Sequence, residues 1–239
     1  MSSNLLNFNS PHRVGDRICF SSVGVKVISE YLSRESDDSS DDTLGILDFA
    51  PADPSVMNYF SEFNYIYFAS SKLRSALLTL DERQAQQSDN WAADQFLNAL
   101  PSLKKYKGSQ HLNLILVWDM FNYLDRKHII DIMAMLSPMC KKGALIYSFV
   151  WLTEKMPSMP GEFTLEFPDL IEYQFRTFDT TPTHITTTQS VVSLMPCFRP
   201  HRMLATENGI LEIALEFYDL VDPPDPNIVP ANRLTGSFR

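Results

Sequence analysis

The sequence predicts an α/β fold with a doubly wound, mostly parallel sheet, and three observations lead to this prediction. Apolar runs such as LGILDFA (44–50) and LNLILVW (112–118) have the texture of buried parallel strands. Stretches with apolar residues at helical spacing separate these runs, and such alternation is typical of βαβ crossovers. The 239 residues are 44% hydrophobic and 21% charged, the balance of a globular chain that can bury a core.

The predicted elements follow in order through the first two thirds of the chain. A helix is predicted at Ser22 to Leu32, because Val23, Val27 and Ile28 recur at helical spacing. A short helix capped by Ser55 follows the first strand, and a longer one capped by Ser70 or Ser71 runs to about Leu80. The remaining predicted strands and helices are Asn64 to Ala69, Asp94 to Leu100, Leu112 to Trp118, Arg126 to Leu136 and Ala144 to Val150.

The last third of the chain has a different pattern. Leu170 to Phe178 is strand-like, because apolar and polar residues alternate there. A short helix is predicted at Gln189 to Met195, with Thr188 as its N-cap. Asn208–Gly209 is a turn dipeptide that predicts a hairpin, with Ile210 to Phe217 as its second strand.

Composition predicts one main domain with two flanking segments. Residues 1–21 form a predicted N-terminal arm, residues 22–218 the α/β domain, and residues 219–239 an exposed tail rich in Pro and Asp. The stretch SRESDDSSDDT (33–43) is predicted to be a solvated loop, since it has few apolar residues to pack. Residues 81–90 are predicted to be a polar loop.

Charge and cysteine content exclude several classes of function. The net charge of −9 gives no reason to bind nucleic acid or an acidic membrane surface. Three cysteines without a CxxC pair are predicted to be reduced, and five histidines without an HExxH pair predict no metal site. Neither a signal peptide nor a run of about 20 apolar residues occurs, so we expect a cytoplasmic protein. Oligomeric state cannot be predicted.

An apolar strand ends at Asp48, an acidic residue stands at Asp94 in AADQFLNALP, and a later strand runs into Trp118 and Asp119. In this order the motifs resemble the class I S-adenosylmethionine-dependent methyltransferases. The most specific stretch is Leu112 to Tyr147, and the whole resemblance covers roughly residues 20–218. It implies a seven-stranded Rossmann-like sheet whose C-terminal strand is antiparallel.

The resemblance also implies a site for S-adenosylmethionine at the carboxyl ends of the strands. Carried over by position, the loop after Asp48 would lie against the methionine part of the cofactor, Ser70 would face the ribose, and Asp94 the adenine. The implied cofactor-binding residues are Asp48, Ala50, Ala52, Asp53, Ser70, Asp94 and Trp118. Asp119 and Tyr123 are the implied catalytic residues beside an unidentified methyl acceptor, and either His184 or His201 could take a proton from that acceptor.

Two positions depart from the family pattern. The first loop reads DFAPADPS without a glycine, and Pro51 and Pro54 each remove a backbone N–H. The second strand ends at Ala69 and Ser70, where the family has a carboxylate for the ribose hydroxyls. Two functions therefore stay open: a methyltransferase, or a protein that keeps the fold but has lost the cofactor and acts as a binding or scaffold partner.

Each candidate residue also has a structural interpretation. Asp48 could bond loop amides, Asp53 could belong to an ordinary turn, and Asp119 could cap the following helix. Trp118 and Tyr123 could simply be core residues. A recess open at Asp48, Ser70 and Asp94 would favour the enzyme, whereas one filled by Pro51, Phe49 or Met57 would favour the binding partner.

Overall fold

The structure of the chain is a computed structural model. The structure describes residues 17–38, 43–80, 91–107, 109–166, 169–177, 179–183, 187–206 and 209–218. The predicted tail, most of the predicted arm, the loop at 81–90, His184 and Asn208 lie outside these residues.

The described residues form the predicted strands and helices with shifted bounds, together with elements that were not predicted: strands at Arg17–Ser21, Lys155–Pro157, Glu162–Glu166 and Thr180–Pro182 and a helix at Pro101–Lys104. The strands are β1 (Arg17–Ser21), β2 (Leu44–Asp48), β3 (Tyr65–Phe68), β4 (Leu112–Trp118), β5 (Cys140–Trp151), β6 (Lys155–Pro157), β7 (Glu162–Glu166), β8 (Leu170–Gln174), β9 (Thr180–Pro182), β10 (Phe198–Ala205) and β11 (Ile210–Phe217). The α-helices are α1 (Val23–Asp38), α2 (Pro54–Tyr59), α3 (Ser71–Leu78), α4 (Trp91–Ala99), α5 (Pro101–Lys104), α6 (Arg126–Leu136) and α7 (Thr188–Ser193). Short 3-10 helices follow β4 at Met120–Tyr123 and α6 at Ser137–Met139.

The central sheet is mostly parallel, as predicted. Its strand order is β10-β11-β5-β4-β2-β3, in which β3, β2, β4 and β5 are parallel. The last strand, β11, runs antiparallel to both β5 and β10. Six strands of this sheet lie in the described part of the chain, so the seven-strand count is not met there.

Two layers of apolar side chains cover the sheet, one on each face. Helices α3, α4, α6 and α7 pack on one face, through side chains such as Leu73, Phe96 and Ile129. Helices α1 and α2 pack on the other face, together with side chains from β7 and β8 such as Phe163 and Tyr173. Helices on both faces explain why β4 is buried along its whole length and reads as a continuous apolar run.

A second, antiparallel sheet has the order β1-β8-β7. It takes up the strand predicted at Leu170 to Phe178 and the end of the predicted N-terminal arm, residues 17–21. In β8 the residues Ile171 and Tyr173 are buried while their neighbours are partly exposed, which is the alternation that predicted a strand there.

Several predicted helix boundaries are wrong, for identifiable reasons. Helix α1 continues to Asp38, through the first half of the predicted loop, where Ser33, Arg34 and Ser36 are exposed. Asp53, and not Ser55, is the N-cap of α2, since its side chain accepts from the Ser55 amide at 2.8 Å. Thr187, and not Thr188, is the N-cap of α7, since its side chain accepts from the Ser190 amide at 3.2 Å.

The first helix is tied to the last strand by a buried polar cluster. Ser22, which caps α1 through the Val25 amide at 2.9 Å, and Tyr147 both donate hydrogen bonds to the buried Glu212 of β11. The backbone of α1 lies so close to this cluster that a Cβ atom on Gly24 would meet the Tyr147 ring at 2.3 Å. None of the helices in the described ranges is long and apolar enough to cross a membrane.

The strand order places a switch point between β2 and β4. From β2 the chain crosses to β3 on one side, and it later returns to β4 on the other side of β2. In open α/β sheets, ligands bind outside the carboxyl ends of the strands at such a point. Asp48 ends β2 and Trp118 ends β4, so both residues border this position.

Candidate ligand site at the switch point

Asp48 joins the carboxyl ends of three strands through hydrogen bonds. Its Oδ1 atom accepts from the Trp118 indole Nε1 on β4 and from the Ala50 amide, both at 2.7 Å. Its Oδ2 atom accepts from the hydroxyl of Tyr67 on β3. The side chain is fully buried, so these three donors replace the water that a carboxylate would otherwise bind.

Trp118 has an unusual backbone conformation at the end of β4. Its φ angle is 56°, in the left-handed region, and no other described residue apart from glycine has a positive φ. The indole ring stacks on the Phe163 ring of β7, with 4.8 Å between the centroids. A bulky residue in this conformation costs on the order of 1–3 kcal/mol, and such residues cluster at binding and catalytic sites.

Asp119 follows Trp118 and carries a carboxylate oxygen without a partner. Its Oδ2 atom accepts from the Gly161 amide at 3.1 Å and from the Tyr173 hydroxyl at 3.3 Å. Its Oδ1 atom is buried and has no hydrogen-bond partner. The side chain does not cap the 3-10 helix that follows, so the structural role considered for it is not the one the structure shows.

Arg74 places a buried positive charge next to these carboxyl groups. The residue lies on α3 and is 5% exposed, and its Nε and Nη1 atoms have no hydrogen-bond partner. No ion pair between described residues includes it. It is nevertheless close enough to lower the pKa values of both Asp48 and Asp119.

Burial dominates the charge state of the two carboxyl groups. It raises the pKa of Asp48 to about 7, although the hydrogen bonds from Tyr67, Ala50 and Trp118 oppose the rise. It raises the pKa of Asp119 to about 6, and the Arg74 charge is the largest opposing effect. Carboxyl groups that change charge near neutral pH are frequent at functional sites.

The structure brings most of the sequence-predicted residues to this edge of the sheet. Asp53 caps α2, Ser70 caps α3 by accepting from the Lys72 amide at 3.2 Å, and Ala52 is exposed. Tyr123 donates to the Met159 carbonyl at 3.0 Å. Burial, and then the charge of Asp119, raise the pKa of its hydroxyl. The side chains of Asp53, Ser70 and Tyr123 therefore each have a structural contact of their own.

Asp94 lies apart from the others. It is exposed and lines a cavity of about 490 Å³ together with Lys107 and Asp131, between α4 and α6. None of the other sequence-predicted site residues lines this cavity. His184 lies outside the described residues.

Three functional candidates were missed by the sequence analysis: Arg74, Tyr67 and Tyr173. Arg74 stands beside the buried Leu73 and three residues before the buried Leu77, so an arginine at a core-facing position was the available signal. Tyr173 belongs to a predicted strand, but nothing local indicates that this strand lies against Asp119. Contacts that join residues so distant in sequence cannot be predicted from spacing.

The residues present fit one end of S-adenosylmethionine better than the other. The unpartnered atoms of Arg74 and Asp119 provide opposite charges for an amino-acid group. At the expected ribose position the side chain of Ser70 is already engaged as a helix cap, and no carboxylate stands there. Phe49 and Met57 were considered as side chains that could fill the recess at Asp48. The Phe49 ring packs against the Phe96 ring, with 5.1 Å between the centroids, in the apolar layer that contains Leu73 and Ile129. Met57 is 39% exposed.

Metal ligation finds no support in the described part of the chain. No group of three or more His, Cys, Asp or Glu side chains lies close enough there to hold a metal ion. The three cysteines Cys19, Cys140 and Cys197 are free thiols.

The buried carboxyl of Asp119 predicts a specific pH dependence of stability. Its pKa rises from 3.8 in the unfolded chain to about 6 in the folded one, so the folded state binds more protons between these values. Stability from this group is therefore present below pH 4 and is lost as the pH rises through 6. We expect Asp119→Asn to be increasingly stable relative to the wild type from pH 4 to pH 7, by at most about 3 kcal/mol.

Urea unfolding of both proteins at a series of pH values measures this difference. The amide that replaces the carboxyl group in the variant would still offer one oxygen to Gly161 and Tyr173. Asp48 titrates in both proteins, so its contribution cancels in the difference. A difference that stays constant across pH 4–7 would contradict the assignment of a raised pKa to Asp119.

Comparisons with known proteins give distant structural likenesses. No family model matches the chain, and no curated protein matches it. A solved S-adenosylmethionine-dependent methyltransferase from Clostridium acetobutylicum is 9% identical with a TM-score of 0.43, over 82% of this chain and 92% of that chain. The 1,6-didemethyltoxoflavin-N1-methyltransferase of Burkholderia thailandensis, solved with 1,6-didemethyltoxoflavin and S-adenosylhomocysteine, is 12% identical with a TM-score of 0.42, over 83% and 80%.

A third likeness is to an S-adenosylmethionine-dependent methyltransferase from Methanosarcina mazei. It is 14% identical with a TM-score of 0.40, over 80% of this chain and 96% of that chain. All three proteins carry the name of the class that the sequence motifs resemble. Likenesses this loose say nothing about the ligand or activity of this chain, and its fold is defined by its own strand order.

Proposed function

We propose that the chain is an S-adenosylmethionine-dependent methyltransferase of unknown acceptor, with its site at the switch point between β2 and β4. One observation supports this most directly: two buried groups of opposite charge, Arg74 and Asp119, have unpartnered atoms there. Burying a charged group without a partner costs free energy, and packing of the fold requires neither of these two charges. The sequence motifs that resemble the methyltransferases supply the class of ligand.

The residues of the site have defined tasks under this proposal. The cofactor, when bound, would supply a methyl group on a sulfonium. Trp118, Phe163 and Tyr173 would exclude water, because their rings are buried and packed against one another. Asp119 could take a proton from the acceptor, since its pKa of about 6 leaves it mostly ionised at neutral pH. Most of the rate would come from orientation of the two substrates.

A second function is favoured by the contacts of Asp48. Both of its oxygens are satisfied by the chain itself, and the side chain is fully buried. A cofactor contact at this carboxylate would have to displace an internal donor. This observation supports a protein that keeps the fold and acts as a binding or scaffold partner without the cofactor.

Titration calorimetry with S-adenosylmethionine and S-adenosylhomocysteine, in separate experiments, distinguishes the two functions. We expect dissociation constants in the micromolar range for at least one of them, about −8 kcal/mol. If millimolar ligand gives no heat of binding and no shift of the melting temperature, the enzyme proposal is contradicted and the binding partner is favoured.

Asp94→Ala provides an informative control in the same titration. Because Asp94 lines the cavity between α4 and α6, the structure predicts unchanged affinity in this variant. The resemblance in sequence, which puts this position against the adenine, predicts a loss. A loss of affinity would show that the ligand extends to α4.

A further inference from the structure

Another cavity lies between the first two helices, apart from the switch point. It has a volume of about 580 Å³, and its walls come from α1, from α2 with the turn that follows it, and from Leu165 of β7. A cavity of this size is large enough for a small molecule. The residues at the switch point, Asp48, Arg74, Trp118 and Asp119, do not line it. A ligand bound in this cavity would therefore be distinct from the proposed cofactor.

Serine hydroxyl groups line the wall that α1 provides. Ser29, Ser33 and Ser36 follow one another at helical spacing, so they share one face of the helix. The Ser33 hydroxyl donates to the Ser29 carbonyl at 2.9 Å. Burial raises the pKa of Tyr59 on α2, and a hydrogen bond with Ser29 opposes this rise. The protons of Ser29 and Ser33 are therefore engaged within the chain.

The wall that α2 provides uses its hydroxyl protons in the same way. Ser61 donates to the Asn58 carbonyl at 2.7 Å, and Ser55 donates to the side chain of Asp53. A hydroxyl group whose proton is engaged can still accept a hydrogen bond through its oxygen. Ser33 and Ser61 can thus accept from a ligand but have no proton left to donate to it.

The charge around the cavity is negative. Among the described residues that line it, Glu62 is the only charged one, and no ion pair between described residues includes it. Arg34, on the same part of α1, lies instead over the Tyr31 ring, with its Cζ atom 5.7 Å from the centroid. Helix α1 has 16 residues and ends at Asp38 without a basic residue in its last turn. The negative end of the helix dipole therefore has no basic side chain from that turn to offset it.

Aromatic rings complete the cavity and narrow the class of ligand. Tyr59 and Phe63 are partly exposed there, and the face of an aromatic ring attracts an organic cation. Hydroxyl oxygens, a carboxylate and a helix C-terminus likewise favour a positive group that carries N–H donors. An anion would be repelled by Glu62, and no basic residue among the described lining residues would pair with it.

We propose that this cavity binds a small organic amine, with the ammonium group beside Glu62 and the serine oxygens, and the apolar part of the ligand against Tyr59, Phe63 and Leu165. The proposal adds a second ligand site to the chain. It does not depend on methyl transfer, because it involves neither the cofactor nor the residues at the switch point.

The test is an NMR titration of the full chain with phenethylamine and, separately, with phenethyl alcohol, which has a hydroxyl group in place of the ammonium. We expect the amine to bind with a dissociation constant of about 1 mM, as suits a ligand of few atoms. The alcohol should bind about tenfold more weakly, because it lacks the attraction to the carboxylate and the rings. The amide signals that shift should belong to residues around the cavity, such as Ser33, Asn58 and Phe63.

Glu62→Gln removes the negative side chain from the cavity. We expect this variant to bind the amine about three- to fivefold more weakly, since an exposed ion pair contributes up to about 1 kcal/mol, and to bind the alcohol as the wild type does. Glu154→Gln is the matched control, because Glu154 is also exposed but does not line the cavity. It changes the net charge of the chain equally and should leave both affinities unchanged.

Three results would overturn the proposal. The first is an absence of shifts around the cavity at about 10 mM amine, well above the expected dissociation constant. The second is an alcohol that binds as tightly as the amine, which would indicate a site for neutral ligands. The third is an equal effect of Glu62→Gln and Glu154→Gln, which would mean that the amine responds only to the net charge. These titrations contain no S-adenosylmethionine, so none of the three results bears on the proposed methyltransferase.

Discussion

Replacing Asp48 by alanine is expected to lower the free energy of unfolding by about 3 kcal/mol or more. The change leaves the Trp118 indole, the Ala50 amide and the Tyr67 hydroxyl without their acceptor, and an unsatisfied buried donor costs about 1–3 kcal/mol. Relief of the buried carboxylate charge offsets part of this loss. Urea unfolding at pH 5, where the Asp48 carboxyl is mostly protonated, measures the effect with little contribution from its charge.

Asp53→Ala is the matched control for this substitution. Asp53 is also an aspartate in the loop after β2, but it only caps the short helix α2, so we expect a loss of about 1 kcal/mol. Equal losses in the two variants would mean that the hydrogen bonds joining the strand ends contribute little to stability.

Gly45→Ala is expected to destabilise the chain by about 3 kcal/mol, the upper end of the cost of overpacking. A Cβ atom at this position in β2 would lie 2.2 Å from the backbone oxygen of His111, just before β4. A backbone atom next to the first residue of β4 cannot move aside as the end of a side chain can. The hydrogen bond from the Gly45 amide to Asn113 Oδ1, 3.1 Å long, would be disturbed as well.

Gly143→Ala separates this steric effect from the general cost of replacing a glycine. Gly143 has a φ angle of +84°, but a Cβ atom there would meet nothing within 4 Å. Only the backbone conformation opposes the change, at about 1–2 kcal/mol. Unfolding curves in which Gly45→Ala is no more destabilising than Gly143→Ala would show that β2 and β4 can move apart.

The parts of the fold that could be predicted are those where the local pattern and the final environment agree. Strand β4 was predicted with its observed bounds, since a run of seven apolar residues is what a strand covered on both faces requires. Helix α6 was also predicted to the residue, because Asp125 precedes it and the apolar residues repeat at helical spacing. Helix α1 was predicted too short, since exposed polar residues look alike in a helix and in a loop.

The candidate site was predicted in part. Asp48, Trp118 and Asp119 could be found because each stands where a strand of strong pattern ends. Arg74 and Tyr173 could not, because their role depends on which elements meet at the switch point. The partners of a charged side chain depend on tertiary contacts, and a single sequence does not determine those.

The buried cluster of Ser22, Tyr147 and Glu212 has a consequence for the order in which the chain can fold. Ser22 and Glu212 are 190 residues apart in sequence, so this anchor of α1 can form only after the intervening chain has been synthesised. Until β11 has left the ribosome, the apolar face of α1 lacks this fixing point. The hairpin of β10 and β11 thus completes the central sheet and also fixes the position of α1.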